Sequence, residues 1–107
     1  MGGSQPQETG SAEPAGPLDA QQTQQMAAEL PAWTLTGETL EREFKFKNFR
    51  EALAFVNTMA EIAEAAKHHP DIAISYNRVR LALTTHSAGG LTGKDFVMAR
   101  LIDVLVA

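Results

Sequence analysis

The sequence predicts an α+β fold, a two-layer sandwich of a four-stranded antiparallel sheet with helices on one face. Two observations carry that prediction. Stretches with the two-residue alternation of strands come in pairs, residues 33–36 with 40–46 and residues 72–76 with 78–85. Stretches with helical periodicity stand before, between and after the pairs. The order helix, two strands, helix, two strands, helix favours helices laid together over one side of a sheet.

Residues 1–17 are mostly Gly, Pro, Ser, Gln and Glu, with too little apolar surface to offset the entropy of ordering. They read as a disordered tail before a single domain over residues 18–107. Asp19 caps a first helix over residues 21–30, with Met26, Ala27 and Leu30 along one side, and Pro31 stops it. The next two strands turn at Gly37-Glu38, the second pointing Leu40, Phe44 and Phe46 inward. Asn48, with Glu51 three residues on, opens the main core helix, which extends to about Lys67. Its apolar stripe is Phe49, Leu53, Val56, Ala60 and Ala63, with Ala52, Met59 and Ile62 beside it.

Pro70 cannot continue that helix, which leaves His68 and His69 at its C-terminal end. A second hairpin follows, with Val79, Leu81, Leu83 and Thr85 alternating against Arg78, Arg80, Ala82 and Thr84. Ala88-Gly89-Gly90 turns the chain. Thr92 then caps a last amphipathic helix carrying Phe96, Val97, Met98, Leu101, Ile102 and Leu105.

With 107 residues and 44% hydrophobic content the chain is one globular domain at most. A chain of this size removes only about two-thirds of its unfolded surface from water, so self-association is a natural way to bury more. The absence of Cys excludes disulfides, thiolate metal sites and a cysteine nucleophile, and is compatible with a cytoplasmic setting. A net charge of −4 with no cluster of Lys and Arg argues against direct nucleic-acid binding. Neither a signal-peptide pattern nor an apolar run of about 18 residues is present, so a soluble protein without a membrane partner is expected.

All 3 histidines lie between Glu64 and Asp95. Imidazole titrates near neutral pH, so this stretch is where proton-transfer chemistry belongs. His68 and His69 also suit a helix C-terminus, where they complement the dipole and the unpaired carbonyls. His86 ends a strand before the Ser87-Ala88-Gly89-Gly90 turn, and a return across the sheet could set it opposite the first two. A zinc site is disfavoured because His-x-x-x-His spacing is missing, and a serine triad because there is no Gly-x-Ser-x-Gly elbow. Asp95 reads as a capping-box residue, and Glu64 as a solvated helix residue or a partner for His68 one turn on. Trp33 reads as core; Tyr76 is as suited to packing as to binding.

The run Glu64, His68-His69-Pro70, Tyr76, His86, Asp95 resembles the pterin-4a-carbinolamine dehydratases. In that family a Glu, two adjacent His and a Pro precede an aromatic residue, a third His and an Asp. Here five residues separate Pro70 from Tyr76, nine separate Tyr76 from His86, and eight separate His86 from Asp95. Trp33 after Pro31-Ala32, and the Phe44-x-Phe46-x-x-Phe49 run, are similar to the family as well. The likeness covers about Leu18 to Leu105.

The resemblance implies dehydration of 4a-hydroxytetrahydropterin to quinonoid dihydropterin, recycling the tetrahydrobiopterin used by aromatic amino acid hydroxylases. It implies no metal and no organic cofactor, and a homodimer or homotetramer. His68, His69 and His86 would be catalytic, with His68 and His86 the acid/base pair and His69 binding and assisting. Pro70, Thr85, Ser87 and Ala88 would join the histidines in binding the pterin, and Glu64 and Asp95 would support them. Animal members also serve as dimerisation cofactors of a homeodomain transcription factor, so the alternative is a non-catalytic protein-binding or pterin-binding module on the same fold. Two positions depart from some relatives: Lys67 and Ser87 stand where those carry acidic residues.

Overall fold

The computed structural model describes residues 17–107, so the tail expected over residues 1–17 lies, apart from Pro17, outside the described residues. Asp19 accepts from the Gln22 N–H and the Gln22 side chain accepts from the Asp19 N–H, a closed capping box that starts α1 (Ala20–Ala27). This helix is shorter than its sequence pattern. Leu30 donates back to the Ala27 carbonyl in a turn and is buried there, so its apolar side chain belongs to the turn rather than to a helix extending to Pro31. A polar helix this short is held by packing rather than by its own propensity.

Strands β1 (Thr34–Thr36) and β2 (Thr39–Lys45) meet at Gly37, whose φ of 59° is one that glycine takes without strain. Helix α2 (Phe49–Ala66) opens on Asn48, whose side chain accepts from the Glu51 N–H at 2.9 Å. Then come β3 (Asp71–Ser75), β4 (Arg78–Leu83), a 3-10 turn at His86–Ala88 and α3 (Gly93–Val106). The four strands form an antiparallel sheet in the order β1-β2-β4-β3. Leu40 opposite Leu83, and Phe44 opposite Val79, place the apolar residues of β2 and β4 on one face. Against that face pack Ala52, Phe55, Met59 and Ala63 of α2 and Phe96, Met98, Ala99 and Ile102 of α3, all buried. The other face is charged, with Arg80 bonded to Glu41 at 2.6 Å across the ladder.

The buried stripes differ from the expected ones. Phe49 and Leu53 of α2 are 47% and 36% exposed, while Phe55 fills the core against Phe44 and Phe46. On α3, Val97 and Leu101 face outward instead of joining the core. Both helices carry an apolar surface wider than one contact with the sheet can cover, and docking selects which part is buried. Trp33 is core as read; its indole N–H donates to Asp103 at 2.7 Å. No helix among the described residues is long and apolar enough to cross a membrane.

Candidate active site

Two chain reversals gather the histidines. At the end of α2, Lys67 takes the left-handed conformation (φ 55°, ψ 40°) and the His68 N–H bonds to the Ala63 carbonyl five residues back. This is the helix-ending geometry usually given to glycine, and it swings His68 and His69 off the helix axis. Beyond β4, Thr85 and Gly90 pair as an isolated bridge. Between them the 3-10 turn carrying His86 is closed by Gly89, whose φ of 80° suits a residue without Cβ.

A cleft of about 300 Å³ lies between the two reversals. Lys67, His68 and His69 contribute from the α2 end, Thr84, Thr85, His86 and Ser87 from the segment after β4, and Lys94 from the first turn of α3. The three histidines therefore share one space. A larger cavity of about 420 Å³, beside α1 and Gly89-Gly90, has Glu38 as the single ionisable side chain in its lining and offers no acid–base pair.

His68 is the most constrained of the three. Its side chain is 11% exposed, and its Nε2 stands 2.5 Å from Oδ1 of the fully buried Asp95. The other Asp95 oxygen, Oδ2, accepts from the Thr85 hydroxyl at 2.8 Å and from the Thr92 N–H at 2.9 Å. A buried carboxylate needs such donors to offset the loss of water. A carboxylate only accepts, so the pair specifies a proton on Nε2 of His68 and leaves Nδ1 as the free ring nitrogen. His69 meets Glu64 at 2.6 Å in an exposed pair. His86 stands exposed at the start of its turn.

The structure gives several of these residues partners or positions that the sequence did not indicate. Glu64 partners His69 and not His68, because the left-handed Lys67 breaks the helical spacing that would have stacked residues 64 and 68. Asp95 does close the capping box of α3, and the same carboxylate also holds His68. Pro70 is buried and Ala88 is half-buried, and neither is among the walls of the cleft. Tyr76 is 67% exposed in the β3–β4 turn, also outside the cleft. Lys94 and Thr84 line the cleft without having been singled out. Only the position of Lys94 beside Asp95 in the first turn of α3 could have pointed to it. Among the described residues, no three His, Cys, Asp or Glu side chains converge as a metal-ligand set.

Comparison with known proteins supplies the family. The sequence profile described as Pterin 4 alpha carbinolamine dehydratase matches residues 16–105. This chain belongs to the pterin-4a-carbinolamine dehydratase family. A protein of Thermomicrobium roseum, carrying that enzyme's name provisionally, is 52% identical over 90 residues, 84% of this chain and 97% of its own. A similarly named protein of Trichormus variabilis is 58% identical over 80 residues, 75% of this chain and 86% of its own.

Among solved structures, the transcriptional coactivator/pterin dehydratase from Brucella melitensis is similar with a TM-score of 0.81 at 34% identity, over 86% of this chain and 100% of that one. A pterin dehydratase-like protein identified as a RuBisCO assembly factor in the alpha-carboxysome has a TM-score of 0.61 at 23% identity, over 71% of this chain and 90% of that one. The latter likeness is one of fold alone. Membership of the pterin-4a-carbinolamine dehydratase family makes the cleft that joins the histidines the first place to seek a pterin.

Proposed function

We propose that this protein dehydrates 4a-hydroxytetrahydropterin to quinonoid dihydropterin, with His68 and His86 as the acid/base pair and His69 binding the substrate and assisting. One observation carries the reading: His68, held by a buried carboxylate, lines the same cleft as the exposed His86. In the reaction one imidazolium gives its proton to the 4a-hydroxyl, and the C4a–O bond breaks with its electron pair leaving as water. The other imidazole takes the proton from N5, and the N–H pair becomes the new C4a=N5 bond. One proton is delivered and one removed, so the chemistry needs two groups that exchange protons near neutral pH. Which histidine is the acid follows the epimer bound. Thr85 and Ser87 contact the pterin beside the histidines, Pro70 and Ala88 support the loops that carry them, and Glu64 orients His69. Pterin recycling in the cytoplasm by a homodimer or homotetramer accompanies this reading.

The test is the rate of dehydration of freshly generated 4a-hydroxytetrahydropterin, followed by absorbance across a range of pH. Catalysis by the parent that falls roughly 10²-fold or more in His86→Ala supports the assignment. A parent no faster than the uncatalysed reaction defeats it.

A second reading, a protein-binding module on the same fold, is favoured by the sheet edge. All 5 residues of β3 are exposed, including Ile72 and Ile74 at 43% and 38%. An uncovered edge strand with apolar side chains is a surface for pairing with another chain. That role would survive loss of both His68 and His86.

A further inference from the structure

We propose that Pro17 and Leu18, the two residues that lead into α1, are positioning residues for His86: they hold from behind the turn that presents this histidine to the cleft. The inference rests on the dehydratase reading above, in which His86 exchanges a proton with the substrate. Neither Pro17 nor Leu18 is among the walls of the cleft, so their influence on the reaction passes through the turn.

Within the turn, the Thr85 carbonyl accepts from the N–H groups of Ala88, Gly89 and Gly90 at 3.0, 3.1 and 3.3 Å, and the Thr85 N–H donates to the Gly90 carbonyl at 3.1 Å. These bonds fix the shape of the loop. Its place is fixed by its two stems. On the first, the Thr85 hydroxyl bonds to Asp95 and Thr92, which ties that stem to α3. On the second, the Leu18 N–H donates to the Leu91 carbonyl at 2.8 Å. Among the described residues this is the one backbone hydrogen bond between residues 17–30 and the segment carrying His86.

Gly90 points the same way. Its backbone, unlike that of Gly89, lies outside the left-handed region, so conformation does not call for glycine there. Space does. A Cβ on Gly90 would stand 3.0 Å from Cβ and 3.4 Å from Cγ of Pro17, closer than the ~3.5–4 Å at which carbon atoms pack. Proline has no N–H and a fixed φ, so its ring can lie on the Gly90 backbone without stranding a donor. Beyond this contact Ala20, Thr23 and Gln24 of α1 face Gly89 and Gly90 across the cavity of about 420 Å³, and the turn is touched by Pro17 and Leu18 at the rim. An imidazole on such a loop moves with either stem, and a shift of about 1 Å is enough to remove much of a catalytic group's effect.

The experiment measures kcat and KM, per folded enzyme, for Leu18→Pro, Leu18→Ala and Gly90→Ala, each made in the parent and in His86→Ala. Leu18→Pro removes the N–H that bonds Leu91, whereas Leu18→Ala keeps it and loses apolar contact alone. Gly90→Ala pushes the turn and Pro17 apart. In the parent we expect Leu18→Pro and Gly90→Ala to lower kcat roughly tenfold, with KM changing less than about threefold and Leu18→Ala closer to the parent. In His86→Ala the same substitutions should change kcat by less than about twofold, because the residue they position is gone. Their effect on melting temperature should be the same in both backgrounds, and a merely structural role would lower kcat equally in both.

Unchanged kcat in both Leu18→Pro and Gly90→Ala, or the same fold loss with and without His86, overturns the positioning role and leaves the dehydratase reading standing. Should Leu18→Pro fail to fold, Gly90→Ala decides by the same comparison. A parent no faster than the uncatalysed reaction, or a His86→Ala variant as fast as the parent, instead overturns the assignment on which the positioning role rests.

Discussion

Asp95 shares its carboxylate among three partners: Oδ1 meets Nε2 of His68 at 2.5 Å, and Oδ2 accepts from the Thr85 hydroxyl at 2.8 Å and from the backbone N–H of Thr92 at 2.9 Å. The residue that starts α3 thereby also holds an imidazole at the end of α2. Replacing one oxygen by an amide separates these roles. In Asp95→Asn the oxygen can still serve Thr92, while the NH₂ group faces His68 and imposes the opposite tautomer. We expect α3 to persist by circular dichroism while kcat falls by roughly tenfold or more, as when the partner that orients a functional histidine is lost. Asp95→Ala should in addition lower stability by about 1–3 kcal/mol in denaturant titration, through loss of the cap and of the partners of Thr85 and Thr92.

The three histidines are expected to differ in their effect on rate. His68→Ala and His86→Ala should each reduce kcat by roughly 10²-fold or more, and His69→Ala by less. Glu64→Gln should shift stability by less than about 1 kcal/mol, because its pair with His69 is 60% and 75% exposed and screened by water. Steady-state kinetics alongside thermal melts separates the two kinds of effect. A His69→Ala variant slower than both others would reverse the assignment of roles.

Two left-handed positions flank the cleft, one occupied by Gly89 and the other by Lys67. Gly89→Ala meets no neighbouring atom within 4 Å, so its penalty is purely conformational, about 1–2 kcal/mol. Lys67→Gly should go the other way and raise stability by up to about 1 kcal/mol, since a side chain is relieved of the same conformation. Urea unfolding of both variants checks the pair, and equal signs would contradict the backbone argument.

On the charged face of the sheet, the Arg80 guanidinium bonded to Glu41, helped by the Thr39 hydroxyl, holds the Glu41 carboxyl below its ordinary value. As pH drops, the unfolded chain takes up this proton before the folded chain does. The stabilisation is therefore complete above the unfolded value and is lost as pH falls through the lower folded one. In Glu41→Gln we expect a loss of no more than about 1 kcal/mol at neutral pH, shrinking in the acid range below the ordinary carboxyl value. Denaturant titrations at both ends of that window measure it, and a gap that stayed constant into acid would exclude this pair as its source.

Local signals explain how much of the fold could be read in advance. Asp19, Asn48 and Thr92 each cap the helix that follows, and Pro70 and Gly89 stand where the chain must turn. The apolar stripes were legible only in part. Helical periodicity marked a broad surface on α2, but the contact with Phe44 and Phe46 buried Phe55 and left Phe49 outside. At the candidate site the sequence singled out the histidines by type and spacing. It passed over Lys94 and Thr84, whose presence in the cleft depends on where α3 and the end of β4 dock.

By itself, then, the sequence determined the fold class, the order of the elements and the resemblance to the family, because periodicity, caps and breakers act over a few residues and the motif spacing is written along the chain. Tertiary structure alone decided which carboxylate serves which histidine. Glu64 lies four residues before His68 yet pairs with His69, since the left-handed Lys67 turns the chain between them. Asp95, 27 residues from His68, reaches it because α3 packs against α2 with its capped end beside the end of α2. Contacts over that separation follow from how whole elements dock, which no local pattern encodes.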